Sequence, residues 1–71
     1  METHNESTLA ILESHKNAAL HHQEAAKAHL EAMKYHAGGK ELEAGESAKS
    51  AIEESNLAAT FDDEVREHHG L

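Results

Sequence analysis

The chain of 71 residues contains no cysteine, no proline and no tryptophan, and one tyrosine and one phenylalanine are its only large aromatic residues. The absence of cysteine excludes disulfides, thiolate metal ligands and a cysteine nucleophile. The apolar fraction is only 38%, much of it alanine, so a single copy has little large apolar surface to bury. We therefore expect the chain to depend on self-association, on a partner or on a bound ion.

Positive charge is also scarce, because the formal net charge is −8. This balance argues against binding to nucleic acid or to an anionic membrane surface. No apolar run is long enough for a transmembrane helix, and the N-terminal METHNESTLAILESHK lacks the features of a signal peptide, so we expect a cytoplasmic protein. Neither a phosphate-binding glycine loop, a nucleophile elbow nor a Glu-x-x-His or His-Glu-x-x-His motif is present, and we do not expect an enzyme.

The pattern predicts an all-α fold, an antiparallel two-helix hairpin in a single domain over residues 1–71. Helix 1 is predicted over about 6–37, with Thr3, Asn5 or Ser7 as its cap, and the pair Gly38-Gly39 ends it. Helix 2 is predicted over about 40–67, with a kink or a short third helix near 57–61 because Thr60 resembles a second cap. We expect two hairpins to associate into a four-helix bundle, as a homodimer.

Histidine recurs at every seventh position in helix 1: His15, His22, His29 and His36. Because seven residues nearly complete two helical turns, these side chains form one stripe, which we call the histidine stripe. Small or apolar residues stand three and four places after each of the first three histidines, so the stripe is predicted to run along the middle of the apolar face.

A fold-back at Gly38-Gly39 predicts which residues of helix 2 face the histidine stripe. Residues whose numbers add up to about 77 would lie opposite each other, with a few residues of slack from the turn. The predicted pairs are His15 with Asp62, His22 with Ser55, His29 with Ala48, and His36 with Glu41.

Such a stripe points to binding of Cu, Ni or Zn ions, because neutral imidazole suits these metals and carboxylates can complete a site. Histidines seven residues apart are separated by about 10.5 Å of helical rise, so they cannot share one ion. Each requires a donor one turn away or on the other helix, which predicts open sites with two or three ligands and weak, reversible binding for buffering or sensing. The candidate ligands are His15, His22, His29, His36, His21, Met33, Asp62 and Glu41. The alternative is that the histidines only fill space in an alanine-lined seam.

The repeats HHQEAAK and AHLEAMK, the AGGK turn and the closing REHHGL resemble the small metal-binding protein family, which contains small histidine-rich helical proteins of bacteria. The resemblance is carried chiefly by residues 14–41, and it implies a helical bundle that binds copper and other divalent metals through the histidine stripe and the adjacent His21. Helix 2 departs from that family because Ala48, Ser55 and Asp62 stand where further histidines would be expected.

A second resemblance, carried by Ala32, Tyr35, Gly39, Ala44 and Ala51, is to a tetratricopeptide-like helical hairpin. It implies a protein-interaction or structural module with packing histidines and no role in metal binding.

Overall fold

The computed structural model describes residues 6–70, which form two helices and no strand. Helix α1 spans Glu6–Ala37 and helix α2 spans Glu41–His69, and the two pack against each other as a hairpin. The predicted hairpin and the predicted bounds of helix 1 are confirmed. The predicted caps Thr3 and Asn5 lie outside the described residues, and Ser7 already lies within α1. Neither described helix is apolar enough over a sufficient length to cross a membrane.

The turn between the helices is a Schellman motif built on two glycines. Gly39 has a φ of 75°, in the left-handed region, and its N–H donates to the carbonyl oxygen of His36 at 3.1 Å. The N–H of Lys40 donates to the carbonyl oxygen of Tyr35 at 2.8 Å. These two hydrogen bonds satisfy carbonyl oxygens that have no partner within the helix. They reverse the chain direction, and the left-handed φ at Gly39 is the one conformation in the turn that favours glycine.

Helix α2 is continuous to His69, so the predicted third helix near 57–61 is wrong, and the predicted kink there stays a prediction. The hydroxyl of Thr60 donates to the carbonyl oxygen of Asn56 one turn earlier, at 3.2 Å, and does not cap a new helix. A threonine hydroxyl bonded in this way stays compatible with a helical backbone. The helix ends at Gly70, which adopts a left-handed φ of 70° and directs its N–H to the carbonyl oxygens of Arg66 and Glu67.

The seam between the helices consists of alanine. Every buried residue in the described part is an alanine, and the set is Ala18, Ala25, Ala44, Ala51 and Ala58. The seven-residue spacing keeps these methyl groups on one line along each helix, and side chains this small allow two backbones to approach closely. The seam is therefore narrow and well packed, but it removes little apolar area from water.

The hairpin is a flat slab that measures 56 × 23 × 14 Å. Its radius of gyration is 16.2 Å, compared with about 11 Å for a compact domain of this length. The thinnest dimension is close to one helix diameter. Each helix consequently contacts its partner along a single line, and the slab has two broad faces open to solvent.

The histidine stripe is exposed and lies beside the seam, so its predicted place in the middle of the packed face is wrong. Small residues flank the stripe on both sides, but one partner helix can cover only one of these flanks. Helix α2 covers the Ala18 flank, because the neighbouring stripe Ser14, His21 and Ala28 also turns inward and is half-buried. The flank that contains Leu12, Ala19 and Met33 remains exposed.

The two adjacent glycines of the turn provide a matched test of this geometry. Gly39→Ala should destabilise the hairpin by about 1–2 kcal/mol, since a Cβ is unfavourable at a left-handed φ. Gly38→Ala should be neutral or slightly stabilising, because its Cβ would meet backbone oxygens at an ordinary 3.5 Å and its φ is not left-handed. Thermal unfolding followed by circular dichroism measures both, and equal losses would contradict the assigned roles.

Candidate functional site

One broad face of the slab carries the histidine stripe, and we call it the histidine face. On α1 it contains the stripe and the flank of Leu12, Ala19, Ala26 and Met33. On α2 it contains the stripe of Ala48, Ser55, Asp62 and His69 together with the adjacent Ile52 and Ala59. Away from the turn, two contacts between described residues join the helices on this face: His22 Nε2 lies 2.9 Å from Asp62 Oδ2, and His15 Nε2 lies 3.5 Å from His69 Nε2.

These two contacts correct the predicted pairing of the stripe. Asp62 bonds to His22 and not to His15, which meets His69 instead, so each histidine finds a partner seven residues farther from the turn than predicted. The tilt of helical side chains toward the N-terminus of their own helix favours partners farther along α2, because the α1 side chain leans toward the open end and the α2 side chain leans toward the turn. The shift occurs only on this face, since His21–Glu54 and Ser14–Glu64 on the other edge of the seam have numbers that add up to 75 and 78 and keep the predicted register.

His36 pairs with Glu41 across the turn, as the sequence predicts. Its Nδ1 lies 2.9 Å from Glu41 Oε1 and 3.1 Å from Oε2. Both side chains are well exposed, at 73% for the histidine and 68% for the glutamate. Water therefore screens this ion pair, which contributes little to stability but leaves both groups accessible to a ligand.

His21 belongs to the seam and not to the exposed stripe. Its Nδ1 lies 2.5 Å from Glu54 Oε2, and its ring stacks on Phe61 with the centroids 5.6 Å apart and the planes within 1°. The side chain is only 30% exposed. His21 thus fills the seam and holds a carboxylate at its edge. The seven-residue series Ser14, His21, Ala28 and Tyr35 is the sequence signal for this inward position.

No described residue of α2 places a possible metal-donor atom in contact with His29 or Met33. His29 is exposed and makes no hydrogen bond or ion pair with any described residue. Met33 has 63% of its surface exposed. The predicted pairing of His29 with Ala48 offers no donor atom in any case, since an alanine side chain cannot ligate a metal.

His68 and His69 lie at the open end of the hairpin, close to α1, and neither is among the candidate ligands predicted from the sequence. His69 faces His15, and the His68 ring stands edge-on to the His69 ring at 87° with the centroids 5.2 Å apart. The hydroxyl of Ser14 donates to Glu64 Oε2 at 2.6 Å beside them. The terminal pair His68-His69 looks like part of a fraying end in the sequence, and only the fold-back shows that α1 lies next to it.

Within residues 6–70 no three histidine, aspartate or glutamate side chains come close enough to hold one ion together. What the fold provides is a set of two-donor pairs, each spanning the two helices: His15–His69, His21–Glu54, His22–Asp62 and His36–Glu41. Three of the four pairs are exposed, which leaves room for water or for donors of another molecule.

The two broad faces differ in charge. On the α2 part of the histidine face, Glu41, Asp62 and Asp63 are acidic and Arg66 is basic, whereas the opposite face carries most of the remaining acids. The acidic residues that point to the opposite face are Glu13, Glu24, Glu31, Glu43, Glu46, Glu53, Glu64 and Glu67. The acidic field of the molecule therefore comes largely from the face without the histidine stripe.

Comparison of the chain with models of protein families, with curated proteins and with solved structures gave no match. The resemblance to the small metal-binding protein family therefore stays a prediction that depends on residues 14–41 and on the closing histidines.

His21 and His29 provide a matched test of the seam. His21→Ala should destabilise the hairpin by about 1–2 kcal/mol, because it removes the bond to Glu54 and the stacking partner of Phe61. His29→Ala should change stability by less than about 0.5 kcal/mol, since the side chain is exposed. Urea unfolding at neutral pH measures both, and a larger loss for His29→Ala would mean that the stripe carries the packing.

Proposed function

We propose that the protein binds divalent transition metal ions weakly and reversibly, for buffering or sensing, through the histidines of this hairpin. The observation that carries the proposal is the pairing of four histidines with one further donor each across the two helices. Imidazole with imidazole or carboxylate is a common donor set for Cu, Ni and Zn.

The number of donors sets the expected strength of binding. A structural zinc site uses four protein ligands, whereas each pair here supplies two and leaves the other positions to water. The pairs at His22 and His36 are 56% and 73% exposed at the histidine, so an ion there stays partly hydrated and exchanges readily. We expect dissociation constants in the micromolar range, which suits a buffer and not a permanent cofactor.

The order among metals should follow intrinsic ligand preference, with copper bound more tightly than nickel or zinc, because exposed side chains impose little geometry. Protons compete with the metal for the same imidazole nitrogens. Affinity should therefore fall as the pH is lowered, which gives a second signature of histidine ligation.

Calorimetric titration with Cu(II), Ni(II) and Zn(II) tests the proposal. The wild type should bind each metal, and a His15/His22/His29/His36→Ala variant should bind at least about tenfold more weakly. A matched control, Glu24/Glu31/Glu46/Glu53→Gln, removes four carboxylates from the opposite face and should bind like the wild type. Equal binding by the wild type and the histidine variant would contradict the proposal, as would an equal loss in the control.

A second candidate function, a helical association module, is favoured by the amount of surface left exposed. The accessible surface of 5454 Å² exceeds the roughly 4,300 Å² expected for a compact protein of this mass. The excess, about 1,100 Å², is comparable to the area of roughly 800 Å² that each partner buries in a standard interface. The flat hairpin thus leaves enough surface uncovered for a second copy.

The histidine face is the side on which a second copy would pack. Leu12, Met33 and Ile52 on this face are 49%, 63% and 58% exposed. Two such faces can approach without bringing many like charges together, whereas two acidic faces would repel each other. The result would be a four-helix bundle in which two histidine stripes lie at one interface, so association would add ligands to the two-donor pairs.

Leu12 and Leu20 distinguish the two faces, because they share residue type, helix and an exposure of 49%. Leu12→Glu places a charge on the histidine face and should shift a dimer to monomer by about tenfold or more in dissociation constant. Leu20→Glu, on the opposite face, should leave the dimer intact. Analytical ultracentrifugation at micromolar concentration measures this; a folded wild-type monomer, or equal effects of the two variants, would contradict association through this face.

A further inference from the structure

The open end of the hairpin contains a pair of imidazoles whose arrangement goes beyond the other three pairs. We infer that His15 and His69 form a two-imidazole clamp that binds Zn(II) between the first histidine of the stripe on α1 and the last turn of α2. This inference deepens the proposed metal binding and rests on it, but it assigns the first site to be filled and adds a ligand, His69, from α2.

The separation of the two nitrogens fits a tetrahedral ion. His15 Nε2 and His69 Nε2 lie 3.5 Å apart, and two nitrogens bound to one zinc at about 2.0–2.1 Å in tetrahedral geometry are about 3.4 Å apart. A zinc ion about 2.05 Å from both atoms would lie about 1 Å off the line between them, with an N–Zn–N angle of about 117°. Cis ligands in a square plane would be closer together, at about 2.9 Å, so the present spacing favours the tetrahedral ion.

The rings also present the correct atoms to each other. The ring centroids are 5.7 Å apart, and the two Nε2 atoms are 3.5 Å apart. The difference of 2.2 Å is about two imidazole ring radii, as expected when both Nε2 atoms lie on the line between the centroids. The two Nε2 atoms therefore point toward one another. The 3.5 Å between the two nitrogens is the outer limit of a hydrogen-bond distance, and both rings are exposed. To bind a shared ion, each ring must carry its proton on Nδ1, so that both Nε2 lone pairs are free, and a modest rotation then turns them onto the metal.

This pair is the strongest of the cross-helix pairs for a borderline metal, because both donors are imidazole nitrogens. His21 is committed to Glu54 and Phe61 in the seam, and His22 and His36 each have a single carboxylate partner. The remaining coordination positions at the clamp would be filled by water. The edge-on ring of His68 holds one side of His69 and limits its rotation.

Zinc at the clamp would join two parts of the chain that are 54 residues apart in sequence. The alanine seam ends at Ala58, and only half-buried side chains such as Ile11, Phe61 and Val65 continue it toward the open end. The last turn of α2, residues 66–69, is exposed throughout. An ion bound to His15 and His69 would hold this turn against α1 and reduce its local opening.

Zinc titration of the full chain tests the clamp, with zinc ion alone as the probe. His69→Ala and His15→Ala should each weaken the first zinc-binding event at least about tenfold. The matched control is Gln23→Ala, which removes an exposed polar side chain of α1 that is not among the candidate ligands and should stay within about twofold of the wild type. Circular dichroism verifies that each variant remains helical, which is expected because all three side chains are exposed.

A readout on the wild type alone keeps the test independent of the variants. Zinc should perturb the ring resonances of His15 and His69 in NMR spectra at the first equivalent, before those of His29, and should slow amide exchange at residues 66–70. If zinc binds the wild type but neither His15→Ala nor His69→Ala weakens it, and the two rings do not respond first, the clamp is refuted while metal binding by the stripe stands. If the wild type binds no zinc, copper or nickel, the proposed function and the clamp fail together.

Discussion

The alanine seam is the constraint on which the rest of the hairpin depends. Methyl groups at seven-residue intervals let the helices approach closely, but they bury so little apolar area that they cannot by themselves stabilise a chain of this length. Larger apolar side chains at the buried alanine positions would separate the backbones, and the seam admits them only toward the open end, as the half-buried Ile11, Phe61 and Val65. The exposed Leu12, Met33 and Ile52 on the histidine face follow directly from this arrangement.

The same seam determines what each histidine can do. A histidine in the seam, such as His21, is held by stacking and by a carboxylate and contributes to packing. A histidine beside the seam cannot pack, but the tilt of helical side chains brings it to a donor on the other helix, as for His15 and His22. A packed histidine and an exposed histidine paired across the helices are thus separated by a shift of one residue along the sequence, from position 21 to position 22.

Sequence reasoning predicts the helices well because their limits depend on local chemistry. The two glycines end α1, and the absence of any breaker before them fixes its length. The sequence does not predict which face of α1 packs against α2. Small residues flank the histidine stripe on both sides, at Ala18 and at Ala19, and the local pattern does not favour either flank. The choice depends on the next stripe, where Ser14, His21 and Ala28 are small or flat enough to turn inward. Pairings such as His15 with His69 depend on the mutual tilt of two helices, which spacing along one chain does not contain.

The thickness of the slab has a further consequence for how copies of this chain can assemble. A layer one helix thick has two sides, and here only one of them is low in charge. If two copies cover their histidine faces with each other, both outer surfaces of the resulting two-layer body are acidic, and a third layer would meet like charge. The distribution of glutamate would therefore make stacking self-limiting, so that growth stops at a closed pair and does not continue into a filament.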